Sequence, residues 1–122
     1  MKQSYTPELV IGFKRRRIRI PKPALRLIGS PHYVRLLIDP EERYIAVIPG
    51  KEGESMSHRV PDKIYHSHCS YEICSMTLME QLLSYCCFPA GTASCSLKAK
   101  ACIDGTMVVF SFPEIDSHEQ GR

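Results

Sequence analysis

Residues 15–29 read RRRIRIPKPALRLIG, a basic strand that runs through prolines into a short helix. From Arg17 onward charged and apolar side chains alternate, so arginines point to one face of an extended strand and isoleucines to the other. Pro21 and Pro23 end the strand and suit the first turn of a helix, where a missing amide hydrogen costs little. Gly29 can take the left-handed conformation that closes a helix. The stretch therefore predicts a strand with one wet, basic face, followed by an amphipathic helix.

The same stretch carries a dense positive charge. Seven cations and no acidic residue lie between positions 14 and 26: Lys14, Arg15, Arg16, Arg17, Arg19, Lys22 and Arg26. A concentrated positive potential attracts polyanions, so nucleic acid is the natural partner. Most of the seven are arginines, whose planar guanidinium group hydrogen-bonds phosphate and guanine edges better than an ammonium group does. The alternative is a solvated edge strand, on which charge only discourages pairing with another sheet edge.

The length and composition are those of a globular protein. The chain has 122 residues, of which 43% are hydrophobic, enough for one compact unit with a buried core or for two small subdomains. Neither end carries an apolar run that could span a bilayer, and the N-terminal residues lack the basic-then-apolar order of a secretory signal. We therefore expect a cytoplasmic protein that does not bind a membrane.

The charge is unevenly distributed along the chain. Residues 1–60 contain 12 Lys and Arg against 6 Asp and Glu, a net charge of +6, whereas residues 61–122 contain 4 against 7, a net charge of −3. This asymmetry indicates a division of roles, in which the first half meets an anion and the second half packs, dimerises or binds another partner.

The cysteines do not form a recognisable metal site. All six lie in the second half: Cys69, Cys74, Cys86, Cys87, Cys95 and Cys102. Without a secretory signal, reduced thiols are favoured over disulfides. His66 and His68 lie beside Cys69 and Cys74, but there is no CxxC pair and no second ligand pair at finger-like spacing. We expect no metal ion and no other cofactor.

The remaining elements follow from alternation and turn chemistry. Strands are predicted at 8–13 and 16–20, and a hairpin is predicted from 33–38 and 44–48 around the turn DPEER. In the second half we predict a helix at 76–86, from the helical spacing of its apolar residues, and a hairpin at 94–112 around Asp104-Gly105. The expected domains are a strand-helix-hairpin unit at 1–50, a linker at 51–60 rich in Gly, Glu and Ser, and a diverged helix-hairpin unit at 61–122.

Helix followed by hairpin thus occurs twice. The short run 71–73 corresponds to the basic strand, which would make two copies of a strand-helix-hairpin unit. The alternative is coincidence, because short helices beside hairpins are common. If the units are related, only the first retains the basic strand.

Short motifs in residues 8–49 carry a family resemblance. They are the strand RIRIP, the helix residues Arg26, Ile28 and Gly29, and a hairpin that ends in IAVIP. In this order they resemble the AbrB/MazE/MraZ group of swapped-hairpin DNA-binding domains. The chain departs from the family at 30–33, where SPHY stands in place of the usual Gly-Asp turn. The second half is similar only in its element order, somewhat as MraZ-type proteins carry two such units.

The resemblance implies an α+β fold, mostly β, in which hairpins interleave into a swapped-hairpin barrel, within one chain or between two. It also implies a core and a set of DNA contacts. The implied core residues are Ile18, Ile20, Leu25 and Ile28, and the implied DNA-contacting residues are Arg15, Arg17, Arg19, Lys22 and Arg26.

Our sequence-based hypothesis is a homodimeric DNA-binding transcriptional regulator, or the antitoxin of a toxin-antitoxin pair. The alternative is a protein-interaction or assembly module that binds a protein partner through residues 61–122 and has no nucleic-acid role. An enzyme is the weakest class, since no nucleophile elbow, phosphate loop or metal-ligand spacing organises the reactive residues. We expect no catalytic residues.

Overall fold

The computed structural model describes residues 7–85 and 93–112. Its elements in chain order are β1 (Glu8–Gly12), β2 (Arg17–Ile20), α1 (Lys22–Leu27), β3 (Tyr33–Asp39), β4 (Tyr44–Pro49), β5 (His58–Arg59), α2 (Asp62–Tyr65), β6 (Tyr71–Ile73), α3 (Met76–Tyr85), β7 (Ser94–Ile103) and β8 (Met107–Ser111). The predicted strands, helices and hairpins are present close to their predicted limits. The prediction of an α+β, mostly β protein is therefore confirmed.

The strands form one antiparallel sheet that curls into a nearly closed barrel. Its strand order is β5-β3-β4-β8-β7-β1-β2-β6. The two terminal strands of the sheet lie close together. The Tyr71 hydroxyl on β6 donates a hydrogen bond of 2.7 Å to the carbonyl oxygen of Arg59 on β5. A side chain thus joins the two ends of the sheet where backbone pairing stops.

Alternation along β2 places its apolar residues inside the barrel. Ile18 and Ile20 are buried, while Arg17 and Arg19 are exposed. Pro21 precedes α1, and Gly29 adopts a φ of +89° after the helix ends, as the sequence predicts. The four core residues implied by the family resemblance are all buried: Ile18, Ile20, Leu25 and Ile28.

The two predicted units contribute neighbouring strands to the one sheet. β1 pairs with β2 and also with β7, and β3 pairs with β4 and also with β5. The corresponding strands of the two units pair with each other, β2 with β6 and β4 with β8. Both of these pairs are antiparallel, as they would be if a two-fold axis perpendicular to the strands related the units. That the units are related copies stays a prediction.

Two short elements lie outside the predicted ones. β5 falls within the predicted linker 51–60 and pairs with β3, and α2 follows it directly. Val60 and Ile64 are buried, so this connection packs against the core. A strand of two residues and a helix of one turn are too short for periodicity in the sequence to indicate them.

None of the helices in residues 7–85 and 93–112 has the length and hydrophobicity needed to cross a lipid bilayer.

The Tyr71 hydrogen bond can be tested by replacing Tyr71 with Phe. Burial is the main cause that raises the pKa of Tyr71, with the neighbouring Tyr65 contributing, so the hydroxyl remains a proton donor across the neutral range. We expect Tyr71→Phe to lower the free energy of unfolding by about 1 kcal/mol, measured by urea denaturation. The matched control is Tyr44→Phe, because the half-buried Tyr44 has no hydroxyl hydrogen bond to another described residue. Equal effects of the two substitutions would contradict the assignment.

Candidate nucleic-acid interface

The basic strand β2 lies inside the sheet, between β1 and β6. Its registers pair Arg19 with Val10 on one side and with Glu72 on the other. Because both sides of β2 are hydrogen-bonded, its charges are not needed to protect an open sheet edge. The edge-strand explanation for the arginines therefore does not apply to β2.

Arg17 and Arg19 share one carboxylate on the outer face of the sheet. The Nη1 atom of Arg17 lies 3.1 Å from Oε1 of Glu72, and the Nη2 atom of Arg19 lies 3.2 Å from Oε2. Nε of Arg19 also donates to that second oxygen, at 3.3 Å. Each carboxylate oxygen thus accepts from a different arginine. The three side chains form a unit with two positive charges and one negative charge.

Both arginines of this unit remain accessible. Their side chains are 51% and 54% exposed, against 27% for the side chain of Glu72. Hydrogen bonds from Arg17 and then Arg19 lower the pKa of Glu72, so the carboxylate is ionised at neutral pH. Ion pairs this exposed contribute little net stability, because water solvates the separated charges nearly as well. An external anion can therefore compete with Glu72 for the two guanidinium groups.

Lys22 and Arg26, on α1, are directed toward backbone carbonyls. Nζ of Lys22 donates to the carbonyl oxygen of Ser67, and Nη2 of Arg26 donates to that of Tyr65 at 3.5 Å. The Tyr65 hydroxyl in turn donates to the carbonyl oxygen of Pro31 at 2.5 Å. Burial and the charge of Asp62 raise the pKa of Tyr65 to about 12, against the opposing effect of Arg26. These two cations therefore help to hold the end of α2 and the segment after it against α1.

Arg15 and Arg16 belong to the turn that joins β1 to β2. Arg16 has a left-handed φ of +59°, and its Nη1 atom lies 3.6 Å from the sulfur of Met76. Arg15 is exposed and contacts no hydrogen-bonding partner among the described residues. The turn therefore extends the positive charge of β2 beyond the end of the strand.

The structure thus divides the five predicted DNA-contacting residues into two groups. Arg15, Arg17 and Arg19 lie along the strand and its turn, whereas Lys22 and Arg26 lie on the helix with backbone partners. Sequence reasoning missed Glu72, which lies beside the arginines. The apolar-acidic-apolar pattern of Tyr71–Ile73 is the signal that would have placed Glu72 on the outer face, but only the pairing of β2 with β6 reveals its partners.

The described cysteines and histidines do not converge. Cys69, Cys74, Cys95 and Cys102 are free thiols, and burial raises the pKa of Cys95. Within residues 7–85 and 93–112, no three His, Cys, Asp or Glu side chains are placed to share a metal ion. Cys86 and Cys87 lie outside the described residues.

The ion pairs of Glu72 predict a dependence of stability on pH. Because its pKa is lowered in the folded state from an ordinary value of 4.5, the contribution is full above that value and is lost as the pH falls through the folded-state pKa. We expect wild type to exceed Glu72→Gln in free energy of unfolding by less than about 1 kcal/mol at neutral pH. In urea denaturation this difference should vanish as the pH is lowered through the acid range. A difference independent of pH would show that the carboxylate charge is not responsible.

No protein-family model, curated protein or solved structure matches this chain.

Proposed function

We propose that the protein is a DNA-binding transcriptional regulator of AbrB/MraZ type. Its contact surface is the outer side of β2 with the preceding turn, which we name the β2 basic face and define as Arg15, Arg17 and Arg19. The observation that carries the proposal is an internal strand with exposed arginines on one side and buried isoleucines on the other. A rigid, hydrogen-bonded strand holds the guanidinium groups in fixed register, which suits a regular array of phosphates and base edges.

The strand pairing supports the swapped-hairpin part of the proposal. The outer strand of the second hairpin, β7, pairs with β1 of the first unit, and the outer strand of the first hairpin, β3, pairs with β5, in the linker that leads into the second unit. Each hairpin thus pairs with a strand that precedes the other unit's helix. On this proposal one chain supplies both units of the barrel, and a homodimer presents two β2 basic faces to a two-fold symmetric DNA site.

Glu72 occupies the place that a phosphate would take on Arg17 and Arg19. A phosphate oxygen accepts charge-assisted hydrogen bonds from guanidinium much as a carboxylate oxygen does. Binding DNA would exchange weak, exposed pairs for phosphate contacts that also release counterions. Glu72 therefore keeps the two side chains paired in the absence of DNA, and reduces their affinity for other anions.

A protein partner is the second candidate function. Two large apolar side chains of α3, Met76 and Leu83, are 51% and 60% exposed. They lie seven residues apart and therefore on one side of the helix. An exposed apolar face in the more acidic half of the chain favours an antitoxin-like or assembly role for residues 61–122. A protein partner of this kind would bind either in addition to DNA or in place of it.

The DNA-binding proposal is tested with Arg17→Gln and Arg19→Gln. We expect each substitution to weaken binding to a mixed-sequence DNA duplex. Each should also make the slope of log K against log salt concentration less steep by about 0.9, the value for one phosphate contact on duplex DNA. Fluorescence anisotropy over a salt series measures both. Circular dichroism checks the fold, which exposed substitutions should leave intact.

A matched pair of glutamate substitutions isolates the role of Glu72. Glu72→Gln should strengthen DNA binding, because it frees Arg17 and Arg19 from a competing anion. Glu54→Gln makes the same change in charge at another Arg-Glu pair, in which Nη1 of Arg35 lies 3.4 Å from Oε2 of Glu54, and should alter affinity much less. Wild-type protein that shows no salt-dependent binding to DNA would overturn the proposal and favour the protein-interaction function.

A further inference from the structure

We propose that the DNA-contacting surface continues from β2 across β1 onto β7, where Lys98 and Lys100 form a second row of phosphate contacts. The inference rests on the proposed function, since it names further residues for the same ligand. It concerns the half of the chain with a net negative charge, in which the sequence indicated no DNA contact.

Strand register places β2 and β7 side by side around β1. Val10 of β1 pairs with Arg19 of β2 and with Ser96 of β7, so these three residues form one row across the sheet. Directly paired residues on neighbouring strands point to the same side. Arg19 and Ser96 are both exposed, whereas Leu97 is buried. The outward residues of β7 therefore share a surface with the β2 basic face.

The strand between the two rows, β1, has Glu8, Val10 and Gly12 at its outward positions. Next to Arg17 and Arg19 it presents only Gly12 and Val10, whereas Glu8 lies opposite Lys98. Because neighbouring strands are about 4.8 Å apart, β2 and β7 are separated by about 10 Å. This separation is similar to the about 12 Å width of the DNA major groove. Lys98 follows Ser96 by two positions, so the lysines are displaced along the strands from Arg17 and Arg19. Two cationic rows placed in this way can face phosphates on the two borders of a groove, which is why we choose duplex DNA as the occupant.

Lys98 and Lys100 lie at the far side of this surface. Both are exposed, and neither forms an ion pair with another residue of the described ranges. The register of β7 against β8 shifts between Ala99 and Ala101, and such a bulge redirects side chains at the point where it occurs. The two lysines, with Ser96, Ala99 and Ser111, line a shallow, open depression. Ammonium and hydroxyl groups together are typical donors to phosphate oxygens.

An acidic residue lies beside each of the two rows of cations, on β2 and on β7. Glu8 is exposed and pairs in register with Lys98, and Glu72 binds the arginines. Glu8 therefore lowers the positive potential near β7 as Glu72 does near β2. Removing the Glu8 charge should strengthen DNA binding.

The test uses Lys98→Gln, Lys100→Gln and the control Lys51→Gln. Lys51 is exposed and follows β4, so it lies outside the β2-β1-β7 surface. With the full chain and a mixed-sequence duplex, we expect each β7 substitution to make the salt slope less steep by about 0.9, so that the loss of affinity between 50 and 200 mM salt is about 3.5-fold smaller. Glu8→Gln should raise the affinity, and Lys51→Gln should leave the slope unchanged.

The outcomes separate the inference from the proposed function. If the arginine substitutions on β2 reduce the salt slope but those of Lys98 and Lys100 do not, the extended surface is wrong and the proposed function stands. If wild type binds no duplex, both are overturned. Binding of polyglutamate without binding of DNA would assign the surface to an acidic protein and would likewise overturn the inference.

Discussion

The barrel and its candidate interface both depend on β2 having a hydrogen-bonded neighbour on each side. Pairing with β1 and with β6 fixes the strand's register and its orientation. Because side chains alternate along a strand, the burial of Ile18 and Ile20 makes Arg17 and Arg19 face outward. A shift by one residue would bury both arginines and expose both isoleucines. The core that stabilises the barrel is therefore also what presents the positive charge.

Residues from both halves of the chain contribute to the charged surface. Glu72 and Lys98 come from the second half, yet they lie beside strands of the first half because β6 and β7 pair with β2 and β1. The net charges of +6 and −3 suggested that only the first half meets an anion. The sheet places charged residues of both halves on one surface, so the net charge of either half does not describe the charge of that surface.

The ion pairs on this surface are exposed to water. Arg17, Arg19 and Glu72 are held together by hydrogen bonds of 3.1–3.3 Å, but water competes for every one of them. Such a cluster orders its side chains at little gain in stability. A ligand that offers stronger acceptors and releases counterions can take the arginines from Glu72. The cluster carries one net positive charge, which on our proposal attracts the phosphates of DNA to the two arginines.

The local features of the fold could be predicted from the sequence. Alternation indicated β2 and its two faces, the prolines and Gly29 marked the ends of α1, and Asp104-Gly105 marked the second hairpin. These signals succeed because each depends on a few consecutive residues. The positive charge of β2 could likewise be predicted, because its arginines are consecutive or alternate in the sequence.

Tertiary structure alone decided what surrounds those residues. Glu72 is 55 positions from Arg17 along the chain, and no local pattern states which strand pairs with which. The order of strands in the sheet also placed β2 between two neighbours and brought Lys98 onto the same face as Arg19. The carbonyl groups that accept from Lys22 and Arg26 likewise come from residues about 40 positions away. The sequence by itself determined which side chains point outward, because that depends on a period of two residues. Which of them meet depends on long-range strand register, which is settled only when the whole core packs.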